Sequence, residues 1–328
     1  MEIKERSFLV TGGASLIGSH IAEELLEGGA SRIALFDNYA LGSPDQVRHL
    51  LGDKRIQLIR GDILRMNEIY DCLEGIDGVF HVAGYLSIPL YENPTVGLDV
   101  NVRGMQNVLE ACRYRSVKKV VFSSTGAVYG AGDGKEFLED TPLYWQNIHP
   151  GVAMYACTKI IGECLLKVYK ERYGIDYVNL RYTSVYGARQ HYRAVNALRI
   201  MQNYDRIKRG EPPHKQEGDP VQDYIYASDV AKANILAMAN EGANGQAFNI
   251  CADVDTPMSE VLEALIAATG TDLKPIDAEE TGVKLTLTKS LHYRRDRAAE
   301  VLGWKPQVPM REGIEKFIEW NEREAAGK

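Results

Sequence analysis

Through roughly its first 180 residues the chain alternates short apolar runs with longer amphipathic segments, and no other feature limits its fold so strongly. The runs SFLVT (7–11), RIALFD (32–37), RIQLIRGD (55–62), GVFHVAG (78–84), KKVVFSS (118–124) and DYVNLRY (176–182) read as strands. LIGSHIAEELLEGG (16–29) reads as a helix that stops at glycines. NVRGMQNVLEACRYR (101–115) reads as another, with Met105, Val108, Leu109 and Cys112 on one face, and Met154 to Tyr173 as a third. Strands this apolar must be covered on both sides, which predicts a parallel sheet with helices on each face. Right-handed crossovers then bring the strand C-terminal ends to one edge, where ligands bind.

After Arg181 the pattern changes. Residues 184–222 are richer in polar, aromatic and loop-forming residues, including EPPHKQEGDP. SDVAKANILAMAN (228–240) reads as a helix, and AFNIC (247–251) as a strand returning to the sheet. MSEVLEALIAATG, a strand-like VKLTLT and RDRAAEVLGWKP make up the remainder. The expected class is α/β: a Rossmann-type doubly wound parallel sheet with a smaller C-terminal α/β substrate lobe. Residues 1–183 with about 223–251 would form the dinucleotide-binding part, and 184–222 with 252–328 the lobe that closes over its edge.

The 38 basic and 45 acidic residues leave a net charge of −7 without a basic block, so no nucleic-acid partner is expected. No uncharged apolar run approaches the roughly 18 residues of a membrane span. The five cysteines, at 72, 112, 157, 164 and 251, lack C-x-x-C spacing, which argues for reduced thiols and against a metal site. The opening MEIKERSFLVTGG enters a strand directly, so no signal peptide is expected and the location is read as cytoplasmic.

TGGASLIG joins the first strand to the first helix. Gly12 and Gly18 suit a tight turn and the close approach of a pyrophosphate; Ser15, Leu16 and Ile17 lie between them. Ser15 stands where a middle glycine is usual. The helix start offers N–H groups and a positive dipole end to phosphates. Asp37 ends the second strand, near the offset of about 20 residues expected of a ribose-binding acid. Its charge would repel a 2′-phosphate. Asn38 and Tyr39 follow it rather than an arginine, so NAD is favoured over NADP. Asp62 could bond the adenine amine while Ile63 packs on the ring.

Tyr155 and Lys159 stand four residues apart on one helix face. A phenol with a pKa of about 10 needs a drop of about 3 units to act as a base near neutrality. A nearby ammonium and a positive nicotinamide ring can supply energy of that order. The hydroxyls of SSTGAVYG (123–130) gather at the end of the fifth strand, on the same sheet edge. Thr125 could hydrogen-bond the substrate oxygen that Tyr155 deprotonates.

TGGASLIGSH, FDN, GDI, HVAG, SSTGAVYG, YACTK, LRYTSVYGARQ, RGEPP, QDYIYASDVA and LGWKP together resemble the extended short-chain dehydrogenases/reductases, in the nucleotide-sugar epimerase/dehydratase branch. The resemblance runs nearly end to end. It implies a catalytic set of Thr125, Tyr155 and Lys159, with Tyr155 as base and Lys159 also holding the nicotinamide ribose. It places His81, Ala83, Asn101, Ser123 and Tyr182 along the NAD cleft. It also implies a homodimer through helices 101–115 and 154–173 and a small-molecule substrate. Dehydratases of this branch carry a carboxylate pair after the threonine, and this chain has Gly126 and Ala127, so elimination is disfavoured. The expected reaction is C4 epimerisation of a nucleotide sugar. The alternative is NAD-dependent oxidation of a non-nucleotide sugar, sugar acid or other alcohol. The substrate side departs from the branch. Ser184 stands for the usual Asn, Gln222 for an Arg that clamps the diphosphate, and Ala153-Met154 for Ser-Pro. Arg193, Arg199, Arg294 or Arg295 could replace the lost arginine, and Arg295 is the candidate taken with Ser184, Gln222 and Thr125 as substrate contacts.

Overall fold

The computed structural model describes residues 1–130, 136–142, 148–190, 195–277 and 292–326. Its centre is one parallel sheet built from β1 (Ser7–Thr11), β2 (Arg32–Asp37), β3 (Ile56–Arg60), β4 (Gly78–His81), β5 (Lys119–Thr125), β6 (Asp176–Tyr182) and β7 (Gln246–Ile250). The spatial order is β7-β6-β5-β4-β1-β2-β3. These are the strands read from the sequence, with ends moved by a residue or a few. Along β1, side chains alternate between two cores. Phe8 and Val10 pack with Ile21, Leu25 and Phe248; Leu9 packs with Phe36, Val108 and Leu109. The inner strands are covered on both faces and largely apolar, as a parallel sheet requires, whereas the edge strand β3 exposes Gln57 and Arg60. The chain runs outward from β1 to β3, then crosses back to β4. The crevice between β1 and β4 is therefore the point where the strand order reverses, the usual place for a dinucleotide.

α1 (Leu16–Glu27) follows β1 directly. The segment expected to be one helix over 101–115 is wound in two ways: Asp99–Gly104 form a π-helical turn and α2 (Met105–Tyr114) is regular. The wider turn carries Asn101, whose amide is fully used by Tyr85 and Thr158; such turns cluster at functional positions. α3 (Pro150–Tyr173) begins four residues before the expected Met154. Pro150 suits a first helical position, and the His149 ring accepts the Gly151 N–H at 3.1 Å. Tyr155 thus sits in the second turn, not at the helix start.

The stretch 184–222, read as loop-rich, contains α4 (Val195–Lys208). Its Ile200, Met201, Tyr204 and Ile207 are buried at helical spacing, but polar residues between them weaken the pattern in the sequence. They form a separate core with Tyr186, Leu262 and Phe317, which joins α4 to α5 (Met258–Thr269) and α6 (Met310–Ala326). VKLTLT lies outside the described residues. Among those described, no helix is long and apolar enough to cross a membrane.

Candidate active site

The C-terminal ends of the strands border a cavity of about 350 Å³. Gly12, Ser15, Leu16, Ile17, Asp37, Asn38, Asp62 and Ile63 line one end. Gly12 adopts φ +67°, and a Cβ there would come within 2.9 Å of the Ala83 backbone nitrogen. Gly18 stands behind the wall; a Cβ on it would collide with the Gly12 carbonyl oxygen. Ser15 is the N-cap of α1. Its hydroxyl donates to the Gly12 carbonyl at 2.6 Å and accepts the Gly18 N–H at 3.2 Å. The side chain that replaces the middle glycine thereby braces the turn. Asp37 is buried, accepting the Ala14 N–H at 3.0 Å and the Tyr39 N–H at 2.8 Å. Burial raises its pKa above the ordinary carboxylate value, and the two backbone bonds oppose this. Asp62 accepts the Leu64 N–H at 2.9 Å and the Asn38 amide at 3.4 Å, which ties the adenosine-side residues together.

Ser124, Thr125, Tyr155, Tyr182 and Thr183 line the other end. The Tyr155 ring is open to the cavity on one side, while protein crowds its hydroxyl. That burial holds the phenol above its ordinary pKa; contact with Thr125 opposes the rise and Tyr182 adds to it. Lys159 is 5% exposed, and its Nζ donates to the Ser123 carbonyl at 2.8 Å. It lies 4.9 Å from the Phe122 ring centre and 5.7 Å from that of Tyr155. Burial lowers its pKa to about 8, opposed by the charge of Glu163. The ammonium stands behind Gly84, where an added Cβ would lie 3.2 Å from Nζ. The lowered phenol pKa expected here depends on Lys159 and a positively charged nicotinamide acting together; without the cofactor, Lys159 is engaged by a carbonyl and burial dominates, so the phenol stands above its ordinary value.

Three more residues expected along the cleft act from behind its wall. His81 is buried, hydrogen-bonded to Thr11 at 2.8 Å and stacked on Phe122. Burial, and then the charge of Lys159, lower its pKa to about 3, so it stays neutral. Asn101 pins Tyr85 through both backbone groups, at 2.6 and 2.9 Å. Ser123 bonds the Tyr182 hydroxyl at 3.2 Å, which also accepts from Asn234 at 2.8 Å. Ala83 and Tyr182 do line the cavity.

The expected substrate contacts fare differently. Ser184 donates to Gln222 at 2.9 Å, and neither lines the cavity. Thr183 and Val185 do, because alternation along this extended segment turns residue 184 away. Arg295 is also off the wall, with its Nε 4.0 Å from Asp253. Arg294 pairs with Glu136 at 2.8 Å, and Arg199 with Gln216; Arg193 lies outside the described residues. At Gly126 a Cβ would come within 2.6 Å of the Tyr293 ring, so no side chain fits beside Thr125 without displacing that ring. Leu41, Gly42, Leu86, Ser87 and Thr183 line the cavity without having been singled out. Their position just past strand C-terminal ends was the available signal.

Residues 8–251 match the model of the NAD-dependent epimerase/dehydratase family. The chain belongs to this family. Like other epimerase/dehydratase members of the extended short-chain dehydrogenase/reductase type, it is an NAD-dependent enzyme acting on a small molecule. A putative UDP-glucose 4-epimerase from Methanocaldococcus jannaschii is 31% identical over 95% of this chain and 97% of its own. The Thermus thermophilus UDP-glucose 4-epimerase solved with NAD is 30% identical, with a TM-score of 0.80 over 96% of this chain and 99% of that one. The Thermotoga maritima enzyme solved with UDP-glucose is 28% identical, with a TM-score of 0.85 over 97% and 99%. The residues here fit the family's cofactor: the Gly12 turn has no room for a side chain, the helix start faces the cavity, and Asp37 borders the same end.

Proposed function

We propose that the chain is a nucleotide-sugar epimerase working through Thr125, Tyr155 and Lys159. One observation carries the reading. Tyr155 and Thr125 face each other at one end of a cavity whose other end is formed by Gly12, Ser15 and Asp37. The relatives named as UDP-glucose 4-epimerases, matched over nearly their whole lengths, support the same substrate class. When bound, NAD supplies the acceptor and then the donor of the hydride exchanged at the sugar C4. Tyr155 takes the proton of the C4 hydroxyl and later returns it. Thr125 hydrogen-bonds the same oxygen and fixes its direction. Lys159, behind Gly84, presents its ammonium to the nicotinamide ribose and favours the Tyr155 phenolate once the site is charged. Gly126 and Ala127 offer no acid or base, and Tyr293 covers the first of them, so a hydroxyl at C6 stays in place.

In this reading residues 1–183 with about 223–251 hold the cofactor, and 184–222 with 252–328 close over the substrate. The chain pairs as a homodimer through α2 and α3, where Tyr114, Met154, Ile161 and Val168 are exposed apolar residues. Residues 154, 161 and 168 repeat on one face. The cysteines are unpaired thiols, which suits the cytoplasm. A second reading, oxidation of a sugar or other alcohol without a nucleotide, draws on the mutual bond of Ser184 and Gln222 and on the engaged Arg199, Arg294 and Arg295. Protein purified without added cofactor should contain NAD(H) and convert UDP-glucose to its C4 epimer at constant nicotinamide absorbance. NADH accumulating from a free sugar, only with added NAD, would replace the first reading by the second.

A further inference from the structure

Glu163 lies on α3 four residues past Lys159 and eight past Tyr155, on the same side of the helix. Its side chain is 12% exposed, and that of Arg181 on β6 is 13% exposed. Arg181 grips it with two prongs, Nε to Oε1 at 3.0 Å and Nη2 to Oε2 at 2.7 Å. Oε1 also accepts the Ser124 hydroxyl at 2.6 Å. Arg181 Nη1 reaches the Tyr129 hydroxyl at 2.9 Å, which donates to Asn249 of β7 at 2.6 Å. One carboxylate therefore joins α3 to β5 and β6, and through them to β7.

Two members of this network flank Thr125 of the proposed chemistry. Ser124 precedes Thr125, and Tyr129 ends the turn that Thr125 caps through the Ala127 N–H at 3.2 Å. A buried ion pair is weak support for stability compared with apolar packing of the same volume, so its use here lies in what it aligns. We infer that Glu163 is a positioning residue: it seats α3 against the end of β5 and supplies the negative charge against which Lys159 presents its ammonium to the cofactor. This rests on the reading of Lys159 as the nicotinamide-ribose ligand.

The other titratable groups around Lys159 do not change charge near neutrality. His81 from β4 is held down at about 3 by burial, and Tyr182 from β6 is pushed up to about 12 by burial. Tyr155, on the same helix, is held above its ordinary value.

The test is NADH affinity against pH, read by nucleotide fluorescence on the full chain, with thermal melts alongside. Wild-type affinity should weaken as pH rises through about 8, where Lys159 gives up its proton. Glu163→Gln keeps the shape but removes the charge, leaving that of Arg181 behind. The midpoint should then fall by about one unit, with about fivefold weaker binding near pH 8 and recovery near pH 6. A merely structural loss would weaken binding equally at every pH. If that variant does not fold, Glu163→Leu with Arg181→Met replaces the pair by apolar groups and should show the same acid-side recovery. A folded variant with the wild-type midpoint overturns the inference. Wild type, freed of its resident nucleotide, whose NADH affinity does not change between about pH 6 and pH 9 overturns the assignment of Lys159 instead.

Discussion

Tyr155→Phe isolates the phenol from the rest of the site. The ring and its packing remain. Thr125 keeps a partner, since its Oγ1 also accepts the Ala127 N–H. The lost hydroxyl contact is worth about 1 kcal/mol, which moves the melting temperature by no more than about 2–4 °C. Catalysis should respond far more. Burial holds Tyr155 above the ordinary phenol value of about 10. Serving as a base near neutral pH therefore needs a drop of more than about 3 units, or about 4 kcal/mol. The free chain does not provide it; the positive charge of the oxidised cofactor and of Lys159 must. Phenylalanine cannot take the proton, so kcat for UDP-glucose should fall by roughly 10²–10⁴. The assay compares kcat at equal NAD occupancy, with melts of both proteins. A folded variant within about tenfold of wild type would refute the role of the phenol. The same reasoning requires the ultraviolet phenolate signal of wild type to emerge at lower pH with NAD⁺ than without it.

Gly18→Ala drives a Cβ into the Gly12 carbonyl and within 2.8 Å of the Gly13 Cα. It should cost about 1–3 kcal/mol and strip the cofactor, as measured by melting and by nucleotide content after purification. Burial pushes Tyr129, Tyr182 and Tyr224 up to about 12. A raised phenol stabilises fully below its unfolded value of about 10 and loses that contribution as pH climbs through the folded value. Urea unfolding should thus show stability falling between about pH 10 and pH 12, by up to about 2–3 kcal/mol for each tyrosine; a flat profile would contradict the burial argument. Ile161→Asp with Val168→Asp, both on the exposed face of α3, should give a folded monomer in sedimentation if that face pairs two copies.

Much of this protein is local and therefore readable along the chain. Six apolar-rich runs became β1 to β6 because strands inside a sheet buried on both faces are largely apolar, and AFNIC became β7. The Gly12 turn, Asp37 at the end of β2 and Tyr155 with Lys159 on one helix face are fixed by short offsets, which backbone geometry turns directly into positions. The polar helix α4 and the π-helical turn at Asn101 escaped because their stabilising partners lie far away in sequence.

The rest depended on which elements meet. Ser184 turns toward Gln222 instead of the cavity. Lys159 is bound by the Ser123 carbonyl, and burial raises Tyr155 as long as no cofactor is bound. Glu163 finds Arg181 only when α3 lies against β6. Residue types and offsets state which groups are present. Their charge state and direction depend on desolvation and on partners from other elements, and packing alone brings those together.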